Sequence, residues 1–157
     1  MVTSSAQLYD WLKFLHVVAA MVWVGGVVML AVLVTRVLRD GDRDALQRFV
    51  GGLRVIGPLV LAPATVALFA LGIWLVLDSA AWDFGQLWIQ LAIGLFAAVF
   101  LIGAAHQSRT AIAAQRATER GDADEAARQL RRWARGMGLI LVLLIAATWD
   151  MVIKPGL

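Results

Sequence analysis

A histidine in the first strongly apolar stretch has the clearest potential for chemistry in this chain. His16 ends the sequence Lys-Phe-Leu-His that begins at Lys13, and Trp23, Gly25 and Gly26 follow in the same stretch. An ionisable ring is costly inside a membrane helix, so such residues usually face a bundle interior and serve a function there. Imidazole is also the commonest side-chain ligand for transition metals. The sequence therefore predicts a heme or metal site at His16.

The composition predicts the elements that must position this histidine. Of the 157 residues, 61% are hydrophobic, whereas about 45–50% are apolar in an ordinary soluble domain. Four apolar stretches, at about 9–36, 55–77, 86–108 and 136–154, are long enough to cross about 30 Å of hydrocarbon. Since little chain remains and the connections are short, we predict one integral membrane domain over 1–157. Its fold class is all-α, a four-transmembrane-helix bundle.

The arginines predict the topology. By the positive-inside rule, the two Arg-rich loops are cytoplasmic, and both termini then lie outside an inner (plasma) membrane that the chain crosses several times. We expect the basic charge to meet membrane lipid and predict no nucleic-acid binding. The twelve arginines of the two loops are Arg36, Arg39, Arg43, Arg48 and Arg54 in the first and Arg109, Arg116, Arg120, Arg128, Arg131, Arg132 and Arg135 in the second.

The outer half of the predicted bundle offers the groups that a heme requires. These are an imidazole for iron, cations for the propionates and aromatic walls for the macrocycle. We predict His16 as an axial ligand of heme iron; alternatively, its ring donates to a backbone carbonyl and binds nothing. The two lysines of the set could instead be interfacial anchors. The other predicted cofactor-binding residues are Lys13, Trp23, Gly26, Lys154, His106 and Arg36.

His106 is a weaker metal candidate than His16. If the third span starts near Trp88 on the outside, His106 lies roughly 27 Å further along, near the cytoplasmic face. The two histidines then lie at different levels and cannot ligate one iron within one bundle. A second axial ligand would come from a symmetry mate or water, or the iron would be five-coordinate. A homodimer is the predicted assembly.

Two other functions remain open from the residues. A copper-handling or other metal-transport protein could use His16 with Asp150 and soft thioether ligands, although scattered methionines in apolar helices are usually packing residues. A cofactor-free structural or assembly subunit would use small residues for helix contacts. The methionines are Met21, Met29 and Met151, and the small residues are Gly25, Gly26, Gly94 and Ala98.

Short motifs along the whole chain resemble known membrane proteins. They are Lys13-x-x-His16 with Trp23 and Gly26, Pro63-Ala64 with Gly72-x-Trp74, Gly103-x-x-His106, and Val152-Ile153-Lys154-Pro155. These motifs look like those of the HemJ-type protoporphyrinogen oxidases and the copper-resistance-D-like membrane proteins. The chain most resembles an uncharacterised family of predicted integral membrane proteins allied to both.

The resemblance implies a four-helix membrane protein that binds heme b through His16, with a redox or electron-transfer role. It implies a quinone, a tetrapyrrole or a redox protein as partner. In the HemJ family the third helix opens with a Trp-Leu-His-x-Lys motif, and Gln90 and Ala92 stand at its histidine and lysine positions here. An oxidoreductase of protoporphyrinogen-oxidase type is therefore implied less directly than heme binding.

Cysteine labelling tests the predicted topology, since the chain has no cysteine of its own. A cysteine in place of Ala81 should react with a membrane-impermeant maleimide added outside intact cells. Gln47→Cys, in the first Arg-rich stretch, should react only after the membrane is breached. The opposite pattern would reverse the orientation.

Overall fold

The chain folds into long helices joined by short turns. A computed structural model describes the backbone of residues 2–157 and the side chains from residue 7 onward; Met1, which belongs to the predicted single domain, lies outside the described residues. Within that range there are six α-helices and no strand. The helices are α1 (Val2–Asp40), α2 (Arg43–Ile56), α3 (Ala62–Asp78), α4 (Leu87–Leu101), α5 (Ser108–Glu119) and α6 (Ala123–Ile153).

Two π-helical turns combine these elements into four membrane-length helices. The turn at Gly57–Leu61 joins α2 to α3, and the turn at Ile102–Gln107 joins α4 to α5. The four continuous helices run over Gln7–Asp40, Arg43–Asp78, Leu87–Glu119 and Ala123–Ile153, and each is long and apolar enough to cross a membrane. The predicted all-α bundle of four transmembrane helices is therefore confirmed. The side on which the termini and loops lie, and the single-domain organisation, stay predictions.

Glycine turns and aspartate caps start α2 and α6. Gly41 and Gly121 adopt φ values of 67° and 74°, in the left-handed region that favours glycine. The carboxylate of Asp42 accepts a 2.9 Å hydrogen bond from a backbone N–H in the first turn of α2. Asp122 makes the equivalent 2.9 Å contact in α6. Such caps satisfy N–H groups that have no partner within the helix.

The π-helical turn before α3 contains one proline and is closely followed by another. Pro58 lies within the turn and Pro63 is the second residue of α3, and neither has a backbone N–H to donate. The Ala62 N–H donates to the carbonyl of Gly57, five residues earlier. The widened turn therefore carries the helix past both prolines without ending it.

The helices extend well beyond the hydrocarbon at what we call the Arg-rich end, formed by residues 36–54 and 109–135. The shortest of the four has 31 residues, about 46 Å at 1.5 Å per residue, against a core about 30 Å thick. There α2 packs on the α5–α6 hairpin, and the rings of Phe49 and Trp133 meet edge to face at 5.9 Å. The most deeply buried of the described side chains lie here: Ala114, Ala117, Ala126 and Leu130 are all 0% exposed.

Elsewhere the bundle presents large apolar side chains outward. Leu59, Leu77 and Ile145 are each about 70% exposed, far more apolar surface than a soluble monomer leaves in water. Lipid chains are the solvent that such a surface requires.

Truncation of Leu130 tests the importance of the Arg-rich end. Leu130→Ala removes a fully buried side chain and should lower the free energy of unfolding by roughly 2–5 kcal/mol. Leu139→Ala is the matched control, because Leu139 lies on the same helix and is 51% exposed. Thermal unfolding in detergent should show a clearly lower midpoint for the first variant only. Equal midpoints would contradict a stabilising role for this cluster.

Candidate functional site

The imidazole of His16 lies between α1 and α3. His16 shares a face of α1 with Leu12 and Trp23, both of which are buried. Across from the ring is Gly72 of α3, where a Cβ would lie 3.1 Å from the His16 Cε1. The backbone of Leu68, one turn earlier in α3, also lies near the ring. The glycine thus provides the space that the imidazole occupies.

One nitrogen of this imidazole has unmet hydrogen-bonding capacity. Nδ1 is buried and makes no hydrogen bond of good geometry among the described residues. A polar atom withdrawn from water without a partner is unfavourable. An iron-ligating histidine normally bonds a backbone carbonyl or carboxylate through the nitrogen that does not bind iron, and the Leu68 backbone is a polar group near this ring. These features fit a ligating imidazole.

Trp23 and Gly26 make contacts between helices. The Trp23 ring is 5.8 Å from the ring of Phe96 on α4, which in turn stacks on Phe69 of α3 at 4.8 Å. At Gly26, a Cβ would lie 2.9 Å from the Leu61 Cδ2, so α1 closely approaches the neighbouring helix there. Both residues have a packing role, and a further role at a cofactor stays a prediction.

The two lysines, Lys13 and Lys154, are placed differently. Lys13 is exposed on α1. The Lys154 Nζ lies 4.4 Å from the centroid of the Trp82 ring and 5.4 Å from that of Trp88, distances typical of cation–π contacts. The Trp82 Nε1–H donates to the Tyr9 hydroxyl at 3.0 Å. We call the cluster of Tyr9, Trp82, Trp88 and Lys154 the aromatic end of the bundle.

Arg36 and His106 lie near the opposite end from His16. Arg36 is exposed and follows His16 by 20 residues on α1, about 30 Å at helical rise. His106 is exposed, and its Nε2 lies 3.2 Å from the Arg132 carbonyl oxygen. The structure therefore does not bring these two residues to His16. Their proposed binding of a cofactor stays a prediction.

Asp150, which the sequence predicts only as an alternative metal ligand, is the most deeply buried acidic or basic residue among the described side chains. It lies on α6, 1% exposed, and neither carboxyl oxygen has a hydrogen-bond partner among the described side chains and backbone. The available signal was an aspartate within an apolar span. Its burial could not be inferred, because a sequence does not give the rotation of a helix in a bundle.

One family model accounts for almost the whole chain. The model described as "Predicted integral membrane protein (DUF2269)" matches residues 10–155. The chain belongs to this family. No curated protein and no solved structure matches it. It is an integral, multi-pass membrane protein, as predicted, and no match supports the finer kinship with HemJ-type or copper-resistance-D-like proteins.

The contact of His106 with α6 predicts the effect of a small substitution. A Cβ at Gly136 would lie 2.7 Å from the His106 Cδ2 and 2.8 Å from the Gln107 Oε1. Gly136→Ala should therefore destabilise the bundle by roughly 1–3 kcal/mol through overpacking. Gly138→Ala is the control, since nothing lies within 4 Å of its added carbon. Chemical denaturation in mixed micelles compares the two, and equal stability would mean that the contact between α6 and the π-helical turn at Ile102–Gln107 is looser than described.

Proposed function

We propose that this protein binds heme b within the membrane, with His16 as an axial ligand, and transfers electrons. The observation that carries the proposal is the buried, unpartnered imidazole nitrogen on the interior face of α1. Burying a histidine there costs free energy that a purely structural helix would not need to spend. A bond from the ring nitrogen to iron would offset that cost.

Neighbouring residues would hold the group and exclude water from it. Trp23, Phe96 and Phe69 form a continuous aromatic wall across three helices, of the kind that packs against a macrocycle. Lys13, exposed one turn before His16, would attract a propionate toward the membrane surface. The chemistry supplied by heme b is a reversible one-electron change at iron.

The resemblance of short motifs to those of HemJ-type proteins supports heme binding but gives less support to the HemJ reaction. Gln90 and Ala92 replace the histidine and lysine of the HemJ motif, so we favour electron transfer over porphyrinogen oxidation. A quinone, a tetrapyrrole or a redox protein is the proposed partner, and the inner (plasma) membrane is the proposed location. A homodimer is the proposed assembly. His106 lies too far along the bundle to join His16 of the same chain at one heme, so the partner subunit would offer any second protein ligand.

A cofactor-free assembly role is the second candidate. It is favoured by the close fit of His16 against Gly72 and of Leu61 against Gly26, since helices in lipid associate through such small-residue contacts. The copper alternative has less support. Met21 and Met29, two of its proposed ligands, are 68% and 63% exposed and therefore face away from the bundle interior.

Absorption spectroscopy distinguishes the first two candidates. The protein purified in mild detergent should show a Soret band that sharpens and shifts on reduction with dithionite. His16→Ala should abolish the band while eluting as a folded species in size-exclusion chromatography. His106→Ala should retain the band as the matched control. A full spectrum in His16→Ala would refute the ligand, and a wild-type protein that stays colourless after addition of hemin would favour the assembly role.

A further inference from the structure

The carboxyl group of Asp150 is sealed inside the bundle near the aromatic end. It lies on α6 three residues before the helix ends at Ile153, about 5 Å along the axis. The helix packs there against α1 and α4, and Leu12, Trp88 and Ile89 on those helices are buried. Both carboxyl oxygens are inaccessible to solvent and lack a partner among the described residues.

No ion pair neutralises this carboxyl among the residues whose side chains the structure describes. The α4 helix carries no charged residue, and neither lysine of the chain forms an ion pair with Asp150 among the contacts of the described residues. Lys154, one turn further along α6, places its ammonium group over the Trp82 and Trp88 rings instead. The other charged or titratable groups on the elements around this end are Tyr9, Asp10, Lys13 and His16 on α1, Asp78 at the end of α3, Asp83 in the loop before α4, and the terminal carboxylate of Leu157.

An ionised carboxylate is highly unfavourable in such surroundings, because neither water nor a hydrogen-bond donor stabilises its charge. Protonation removes the charge and leaves a neutral acid that an apolar bundle tolerates better. Acidic residues in membrane interiors commonly serve in proton relays for this reason.

We propose that Asp150 is a proton-binding site that holds a proton at neutral pH and exchanges it with water at the aromatic end. The ligand is the proton itself, bound to one carboxyl oxygen and released to water with no change in oxidation state. The site does not depend on heme, so it stands or falls separately from the function proposed above.

Infrared spectroscopy of the full-length protein in lipid tests the proposal. The difference spectra compare protein in H2O with protein in D2O, and unlabelled protein with isotope-labelled protein. Asp150 should give the carbonyl stretch of a protonated acid at neutral pH. This band should shift in D2O and should shift again when the protein carries aspartate labelled with carbon-13 at the side-chain carboxyl. The assignment is feasible because, of the eleven carboxyl side chains, only Asp150 is buried. The isotope label requires no substitution and therefore no assumption about folding of a variant.

Three variants provide matched controls. Asp150→Asn should remove the band, and Asp78→Asn should leave it, because Asp78 is exposed at the end of α3. Lys154→Met should also leave the band unchanged. If Asp150 were instead ionised and paired with Lys154, the wild type would lack the band and Lys154→Met would create it. That result, or a band that fails to shift in D2O, would overturn the proposal.

Discussion

Removal of apolar side chains from water can drive assembly of this bundle only where water is present. Between membrane-spanning segments, lipid is as apolar as the side chains it replaces, so the hydrophobic effect gives helices little reason to associate. The Arg-rich end differs because its helices extend past the hydrocarbon. The cluster around Leu130 and Ala117, fully buried there, holds three of the four long helices together at one end. The remainder of the bundle is positioned by this arrangement.

Inside the membrane, close contacts at glycines hold the helices together, as burial of apolar side chains does at the Arg-rich end. Gly26 admits Leu61, Gly72 admits the His16 ring, and Gly136 admits the side chains that precede α5. Such contacts depend on shape, so each one fixes both a distance and a rotation between helices. The orientation of His16 is therefore a consequence of packing. Any ligand of this imidazole must be accommodated by the same α1–α3 contact.

The sequence predicts the number and type of helices well, because a bilayer imposes both length and apolarity on each span. The turns at Gly41 and Gly121 depend on comparably local features of the sequence, since each combines a glycine with a capping aspartate. The role of a residue that contacts another helix cannot be predicted from such local features, because it depends on how the two helices are rotated and packed. The contact of Trp23 with Phe96 depends on the rotation of two helices, which the spacing of residues along one helix does not give. The partner of Lys154 is a tryptophan more than 70 residues earlier, and no periodicity relates the two.

His16 and Asp150 both lie in the half of the bundle that is remote from the Arg-rich end. Each places a polar group in the apolar interior without a hydrogen-bond partner for its buried atoms, and each therefore lowers the stability of the half of the bundle that contains it. A bundle whose helices are held together at the Arg-rich end can tolerate that loss in its other half. Leucine or methionine in either place would satisfy packing alone. The presence of an imidazole and a carboxyl in one half, opposite the end that provides stability, therefore favours chemical roles for both groups over a purely structural one.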